Sequence, residues 1–242
     1  MIKPVRWGVL GCARVFERRM IPGFRAAENA ELLAVASRSE EKSREVAAKY
    51  GIPRSYGSYE SLLCDPDIEA VYIPLPNDIH CAWTLQAFAA GKHVLCDKPV
   101  ALSYTDAYAM AITARSKGLR LQEGFMYRHH PQHERIQEIV RSGEIGEPVH
   151  FRGAFAYVAN FDPSNIRMNT AQGGGAFLDV GVYPLNAARW FFGEPIAVTA
   201  AGRTDPVTGI DLHTITLMEW ADGKTGTVVG GFDQPFTTRY EI

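Results

Sequence analysis

The chain has 242 residues, 46% hydrophobic and 21% charged, with a formal net charge of −2. That length accommodates two domains with buried cores, and the charge balance excludes both a basic nucleic-acid footprint and a disordered acidic chain, leaving a small molecule as the expected partner. Its four cysteines (Cys12, Cys64, Cys81, Cys96) stand far apart, the amino terminus lacks an apolar secretory core, and no apolar run nears the roughly 18 residues of a membrane helix, so a reduced, soluble, cytoplasmic protein with no membrane partner is expected.

Residues 5–10 read as a short buried strand, and Gly11-Cys12-Ala13-Arg14 as the tight turn before a helical run that starts at Val15. This is the arrangement that holds a dinucleotide pyrophosphate against a helix amino terminus. Only the first fingerprint glycine is present, since Ala13 and Phe16 take the second and third places, so an ordinary strand-turn-helix stays open. Pro22-Gly23 predicts that this helix is short or bent. The next strand, 32–36, ends in Ser37-Arg38-Ser39, followed by a helix over 40–50 with Gly51 past its end. The acid that usually holds an NAD ribose is missing there. Two hydroxyls and an arginine suit a 2′-phosphate, which favours NADP, with NAD possible; the competing reading makes Ser39 a plain helix cap and leaves Arg38 in solvent.

Asp65-Pro66-Asp67 breaks the chain before a buried strand that ends in Pro74-Leu75-Pro76, and ligands of parallel sheets sit at such ends. Asn77 or Asp78 is the expected cap of a helix that carries His80 in its first turn and stops at Gly91. Strand 92–96 then runs straight into Asp97-Lys98-Pro99, which delivers a cation beside a φ-fixing proline; the alternative is a solvated lysine before a loop. Ser103-x-x-Asp106 reads as a capping box, Gly118 as a helix stop and 119–123 as another strand. Alternating βαβ units predict a doubly wound parallel sheet over residues 1–123.

Residues 124–242 form the second expected domain. A helix over 131–142 is capped by Gly143, and although His129, His130 and His133 invite a metal reading, no acid or sulfur ligand completes a set, so no metal is expected. Residues 148–159 alternate like a strand, a loop with Arg167 follows, and Gly173-Gly174-Gly175 opens a helix that ends at Gly193. Asp179 and Tyr183 lie four apart on it, so on a regular helix both reach one substrate. A tyrosine is a poor base at neutral pH unless an ammonium stabilises its phenolate, and Lys98 is the candidate to supply one; otherwise Tyr183 packs in the core and Asp179 faces the helix dipole. Trp190-Phe191-Phe192 is core or interface. Strands flank an Asp222-Gly223 turn, giving an open, mostly antiparallel sheet, and the chain stops at Tyr240-Glu241-Ile242 inside what reads as a strand.

Gly8-Val-Leu-Gly-Cys-Ala-Arg, Pro74-Leu-Pro-Asn-Asp-Ile-His80 and Ala90-Gly-Lys-His-Val-Leu-Cys-Asp-Lys-Pro99 occur together in one family. From Trp7 onward the chain resembles the glucose-fructose oxidoreductase and inositol dehydrogenase family, and most of all its NADP-dependent D-xylose 1-dehydrogenase and dihydrodiol dehydrogenase members. The resemblance implies a Rossmann domain, an α+β substrate domain and a cis Lys98-Pro99 peptide. Asp97 stands where the family usually has glutamate, keeping the charge on a shorter arm. Cofactor contacts are expected from Gly11 to Val15, Ser37, Arg38, Ser39, Pro74, Leu75, Asn77, His80, Asp97, Lys98 and Arg167. Arg128, His129, Asp179 and Tyr183 are expected at the substrate, with Lys98, Asp179 and Tyr183 as the catalytic trio; histidine replaces the tyrosine in some members. The implied activity is NADP-dependent hydride transfer at a sugar or polyol carbinol, with aldose oxidation at C1 ahead of keto-sugar reduction. A glycosidase that retains its nicotinamide cofactor and a non-catalytic cofactor-binding protein are the alternatives. Similar members continue past this carboxyl end, so a truncated second sheet is expected, and the full-length form is expected to pair as a homodimer.

Overall fold

Residues 3–160, 162 and 164–242 are described in a computed structural model. One compact unit ends at Gly124 and the next begins at Phe125.

In the first unit, β1 (Val5–Leu10), β2 (Ala30–Ala36), β3 (Arg54–Tyr56), β4 (Ala70–Ile73), β5 (His93–Cys96) and β6 (Leu121–Glu123) form one parallel sheet in the order β3-β2-β1-β4-β5-β6. Successive residues enter opposite cores: Val9, Val35 and Tyr72 pack with Phe16, Val46 and Ile52, while Leu10, Ala34, Val71 and Ile73 pack with Leu62, Phe88, Val94 and Met110. Burial on both faces explains why these strands read as apolar runs rather than alternating ones. The helices are α1 (Ile21–Ala26), α2 (Glu40–Tyr50), α3 (Tyr59–Leu63), α4 (His80–Ala89) and α5 (Tyr104–Ser116).

The helical run around Pro22-Gly23 is irregular and α1 short, in line with the expectation: a π turn at Phe16–Met20 carries the Ile21 N–H to Phe16 O, and Pro22 falls in the first turn of α1, where its missing donor costs no bond. Two other local expectations change. Neither Asn77 nor Asp78 caps α4 through its side chain, because a 3-10 turn at Asn77–Ile79 leads into it. Lys92 lies before β5 and is buried, its ammonium donating to Asp65 O at 2.7 Å and Ile68 O at 2.9 Å. By contrast, Ser103 caps α5 with a reciprocal pair: Asp106 N–H to Ser103 Oγ at 3.1 Å and Ser103 Oγ to Asp106 Oδ2 at 2.8 Å.

The second unit carries α6 (Pro131–Ser142), α7 (Val182–Phe192) and a mixed sheet of β7 (His150–Val158), β8 (Ala197–Thr204), β9 (Asp211–Glu219), β10 (Thr225–Gly231) and β11 (Asp233–Glu241), ordered β11-β7-β10-β9-β8. β7 and β10 pair parallel and the other neighbours antiparallel. Gly223, at φ +84°, turns the chain between β9 and β10, as Asp222-Gly223 predicts. α7 covers one face, where Ala187 and Ala188 meet Phe151, Met218 and Val228, and Phe191 and Phe192 join this core. Gly230 permits the close approach, since a Cβ there would stand 2.7 Å from Gly181 Cα. The opposite face is open, with Ile215 47% and Leu217 44% exposed.

Candidate functional site

In the first unit the strand order reverses between β1 and β4, which is where an open α/β sheet leaves a crevice at its carboxyl edge. Gly11 makes the turn after β1 at φ +114°, its N–H bonded to Ala36 O at 2.9 Å. Arg14 and Val15 follow, exposed at the start of a helical run whose first N–H groups are suited to phosphate oxygens. Cys12 is buried, which pushes its thiol up from the ordinary range. After β2, Ser37 is buried and its Oγ accepts the Ser39 N–H at 3.2 Å, while Ser39 Oγ caps α2 by accepting the Lys42 N–H at 3.3 Å. Arg38 between them is exposed.

The turns after β4 and β5 are tied together by His80. It is fully buried, one ring nitrogen 2.8 Å from Leu75 O and the other 2.8 Å from Pro99 O. His80 therefore joins the Pro74–Asn77 and Asp97–Pro99 segments to each other. Lys98 precedes a cis peptide to Pro99, as the resemblance implies. Asp97 supports this turn through the Lys98 N–H on Oδ1 at 3.0 Å and the Tyr72 hydroxyl on Oδ2 at 3.4 Å, and Glu123 Oε1 accepts the Val100 N–H at 2.9 Å. A dinucleotide fits this edge: a positive-φ glycine, an open helix start, an exposed arginine where the ribose acid is missing, and a half-buried lysine.

In the second unit, Asp179 lies in a π turn, Phe177–Gly181, and Tyr183 in α7 beyond it, which keeps the four-residue spacing but on a wider turn than a regular helix. The turn is anchored from β9, where Asp211 Oδ2 accepts the Phe177 N–H at 2.8 Å. Gly175 at φ +110° leaves room for that carboxylate, since a Cβ would stand 2.0 Å from Asp211 Oδ1. Asp179 Oδ2 accepts Arg167 Nε at 2.8 Å and the Tyr157 hydroxyl at 3.1 Å. Tyr183 lies against the rings of Phe155 at 5.4 Å and Phe125 at 5.5 Å, and lines a cavity of about 480 Å³ with Tyr127, His133 and Tyr240. Arg128 stacks over Trp190 at 4.6 Å, and His129 is exposed. Among the described residues no group of three or more His, Cys, Asp or Glu could hold a metal ion, and no helix is long and apolar enough to cross a membrane.

His133 has a different partner from the one a metal reading gives it: its Nδ1 takes the Tyr240 hydroxyl, joining α6 to β11. Burial, then the charge of His130, hold the His133 ring below its ordinary range, and burial pushes Tyr240 up to about 12, so the phenol stays a donor. The unfolded chain thus takes up this proton more readily than the folded one. The stability it contributes is present above the unfolded value near 6.5 and fades as pH falls through the lower folded value. The urea midpoint is expected to drop from about pH 7 to about pH 5 more steeply in the wild type than in His133→Gln; equal slopes would contradict this role.

Residues 5–125 match the model of an oxidoreductase family with an NAD-binding Rossmann fold, and residues 133–242 match the GFO/IDH/MocA C-terminal domain. The chain belongs to the GFO/IDH/MocA oxidoreductase family. It is 39% identical to a dTDP-3,4-didehydro-2,6-dideoxy-alpha-D-glucose 3-reductase of Saccharopolyspora spinosa, over 100% of this chain and 73% of that one. It is also 39% identical to a D-xylose 1-dehydrogenase (NADP+) of Haloferax volcanii, over 98% and 72%. Among solved structures it resembles KijD10, a 3-ketoreductase from Actinomadura kijaniata in complex with NADP and TDP-benzene, with TM-score 0.91 and 34% identity over 98% of this chain and 73% of that one. The Rossmann sheet expected of the family is present, and so is the mostly antiparallel second sheet, with β7 and β10 its parallel pair.

The sequence reading missed Tyr157, Asp211, His130 and Glu123. His130 caps α6 by accepting the Gln132 N–H on Nδ1 at 3.1 Å. A Pro at the next position was its one visible signal, because proline favours the first helical turn and places the cap just before it. The other three act on residues distant in sequence.

Proposed function

We propose that this family member is an NADP-dependent oxidoreductase that moves a hydride between a sugar-like carbinol and the nicotinamide. The observation that carries the reading is the edge of the first sheet, where Gly11, Arg38 and Lys98 stand just past the ends of β1, β2 and β5. The bound nicotinamide supplies the hydride acceptor. Tyr183 takes the hydroxyl proton, Lys98 brings positive charge to the same oxygen and favours the tyrosinate, and Asp179 accepts a hydrogen bond from a neighbouring hydroxyl. Arg128 and His129 lie on the substrate side. Arg167, bound to Asp179, contributes from the loop before the π turn.

The preferred reaction is aldose oxidation at C1 to a lactone, in keeping with the xylose dehydrogenase relative. Keto-sugar reduction by the same groups is the second reading, favoured by the 3-ketoreductase neighbour. The working compartment is the cytoplasm, and the open sheet face around Ile215 and Leu217 is the surface for pairing two copies.

Cofactor choice is tested by fluorescence titration of the 242-residue chain with NADPH and NADH in parallel. NADPH is expected to bind more tightly, and Arg38→Ala to weaken it about tenfold or more while leaving NADH unchanged, since a charge-assisted phosphate contact contributes about 1.5–3 kcal/mol. Equal affinities in the wild type would contradict the assignment.

A further inference from the structure

Two side chains from separate elements converge on one oxygen of Asp179. Tyr157 comes from β7, its ring against Phe232 at 5.3 Å, and its hydroxyl lies 3.1 Å from Oδ2. Arg167 comes from the 3-10 turn Ile166–Met168 and places Nε 2.8 Å from the same Oδ2. The arginine is held at both ends of its backbone unit: its N–H donates to Asn165 Oδ1 at 3.0 Å and its carbonyl accepts the Gly175 N–H at 2.9 Å. Asp179 is itself nearly buried, its side chain 14% exposed.

We propose that Tyr157 and Arg167 are positioning residues, which together fix the plane of the Asp179 carboxylate and so the direction in which it meets a substrate hydroxyl. One donor on a carboxylate oxygen leaves the group free to swing about Cβ–Cγ; two donors from fixed directions do not. Retaining the loop is no sufficient reason for the pair, because Gly175 N–H to Arg167 O at 2.9 Å and Gly174 N–H to Asn169 O at 2.8 Å already fasten it by backbone. An ion pair whose arginine is 41% exposed is also a weak source of stability, since solvent screens much of the attraction. Burial, then the Asp179 charge, push the Tyr157 hydroxyl up to about 12, which keeps it a donor throughout the working range. For Arg167, burial opposes its charge, but the bond to Asp179 outweighs it and holds the guanidinium above its ordinary range.

The inference rests on the reading that Asp179 orients the substrate, so its test separates the two. With D-xylose and NADP as the probes, Tyr157→Phe in the full chain is expected to raise the KM for D-xylose about tenfold, with the KM for NADP and the Tm nearly unchanged. An unchanged sugar KM, or a lowered Tm with no change in KM, would overturn the positioning role. If the wild type turns over no D-xylose, the substrate reading fails, and crystal structures of the wild type and Tyr157→Phe decide the inference. A carboxylate that rotates about Cβ–Cγ in the variant supports it; one that keeps its plane overturns it.

Discussion

Lys98→Ala is expected to lower turnover about a hundredfold or more while NADPH affinity changes by less than about threefold. The asymmetry follows from the proposed division of labour. Phosphate and ribose contacts are assigned to the turns after β1 and β2, whereas Lys98 stands after β5, where its ammonium is assigned to the reacting oxygen. Its turn is also held by backbone groups, the Lys98 N–H on Asp97 and the neighbouring Val100 N–H on Glu123. The alanine variant should therefore keep its fold. Steady-state kinetics beside a cofactor titration make the comparison, and unchanged turnover would remove Lys98 from the mechanism.

Tyr183→Phe is expected to lower kcat about a thousandfold, near the middle of the range attributed to general acid-base catalysis. Deleting one hydroxyl leaves the ring in contact with Phe125 and Phe155, so the Tm should hold and the loss should appear in kcat rather than in folding. The limb of the pH profile that reports the essential base should disappear with it. Tyr183→His should recover at least about tenfold over the phenylalanine variant, because an imidazole can also accept the proton. A phenylalanine variant with wild-type kcat would return Tyr183 to the aromatic core.

Much of the first unit was legible because its signals are local. Ser39, Gly51, Ser103 and Gly118 act within a few residues of where they stand, and a strand buried on both faces shows itself as an apolar run. The π turns were not legible. Pro22-Gly23 looks like a break to any reading that counts regular turns, and the run from Ala176 to Phe192 looks like one helix. At the second of them the wider turn is met by contacts made from elsewhere in the fold, Asp211 on the Phe177 N–H and Gly230 against Gly181. His80 shows the same limit from the other side. Its place in the Pro74 to His80 motif suggested a cofactor contact, but only the three-dimensional arrangement reveals two carbonyl oxygens facing its ring.

Asp179 and Tyr183 were identifiable as residue types suited to the chemistry, yet their setting was not. Nothing in the spacing of Tyr157, Arg167 and Asp179 announces that two of them close on one oxygen of the third, since they come from a strand, a 3-10 turn and a π turn. Tyr157 in particular looks like one more alternating strand residue.

The most direct test of the account is to follow nicotinamide absorbance while the chain is mixed with NADP and a panel of aldoses, and with NADPH and a panel of keto-sugars. The account predicts a sugar-dependent change in reduced cofactor in at least one direction, abolished by Lys98→Ala. Glycoside cleavage with no net change in cofactor, or tight NADPH binding with no change for any sugar, would contradict it.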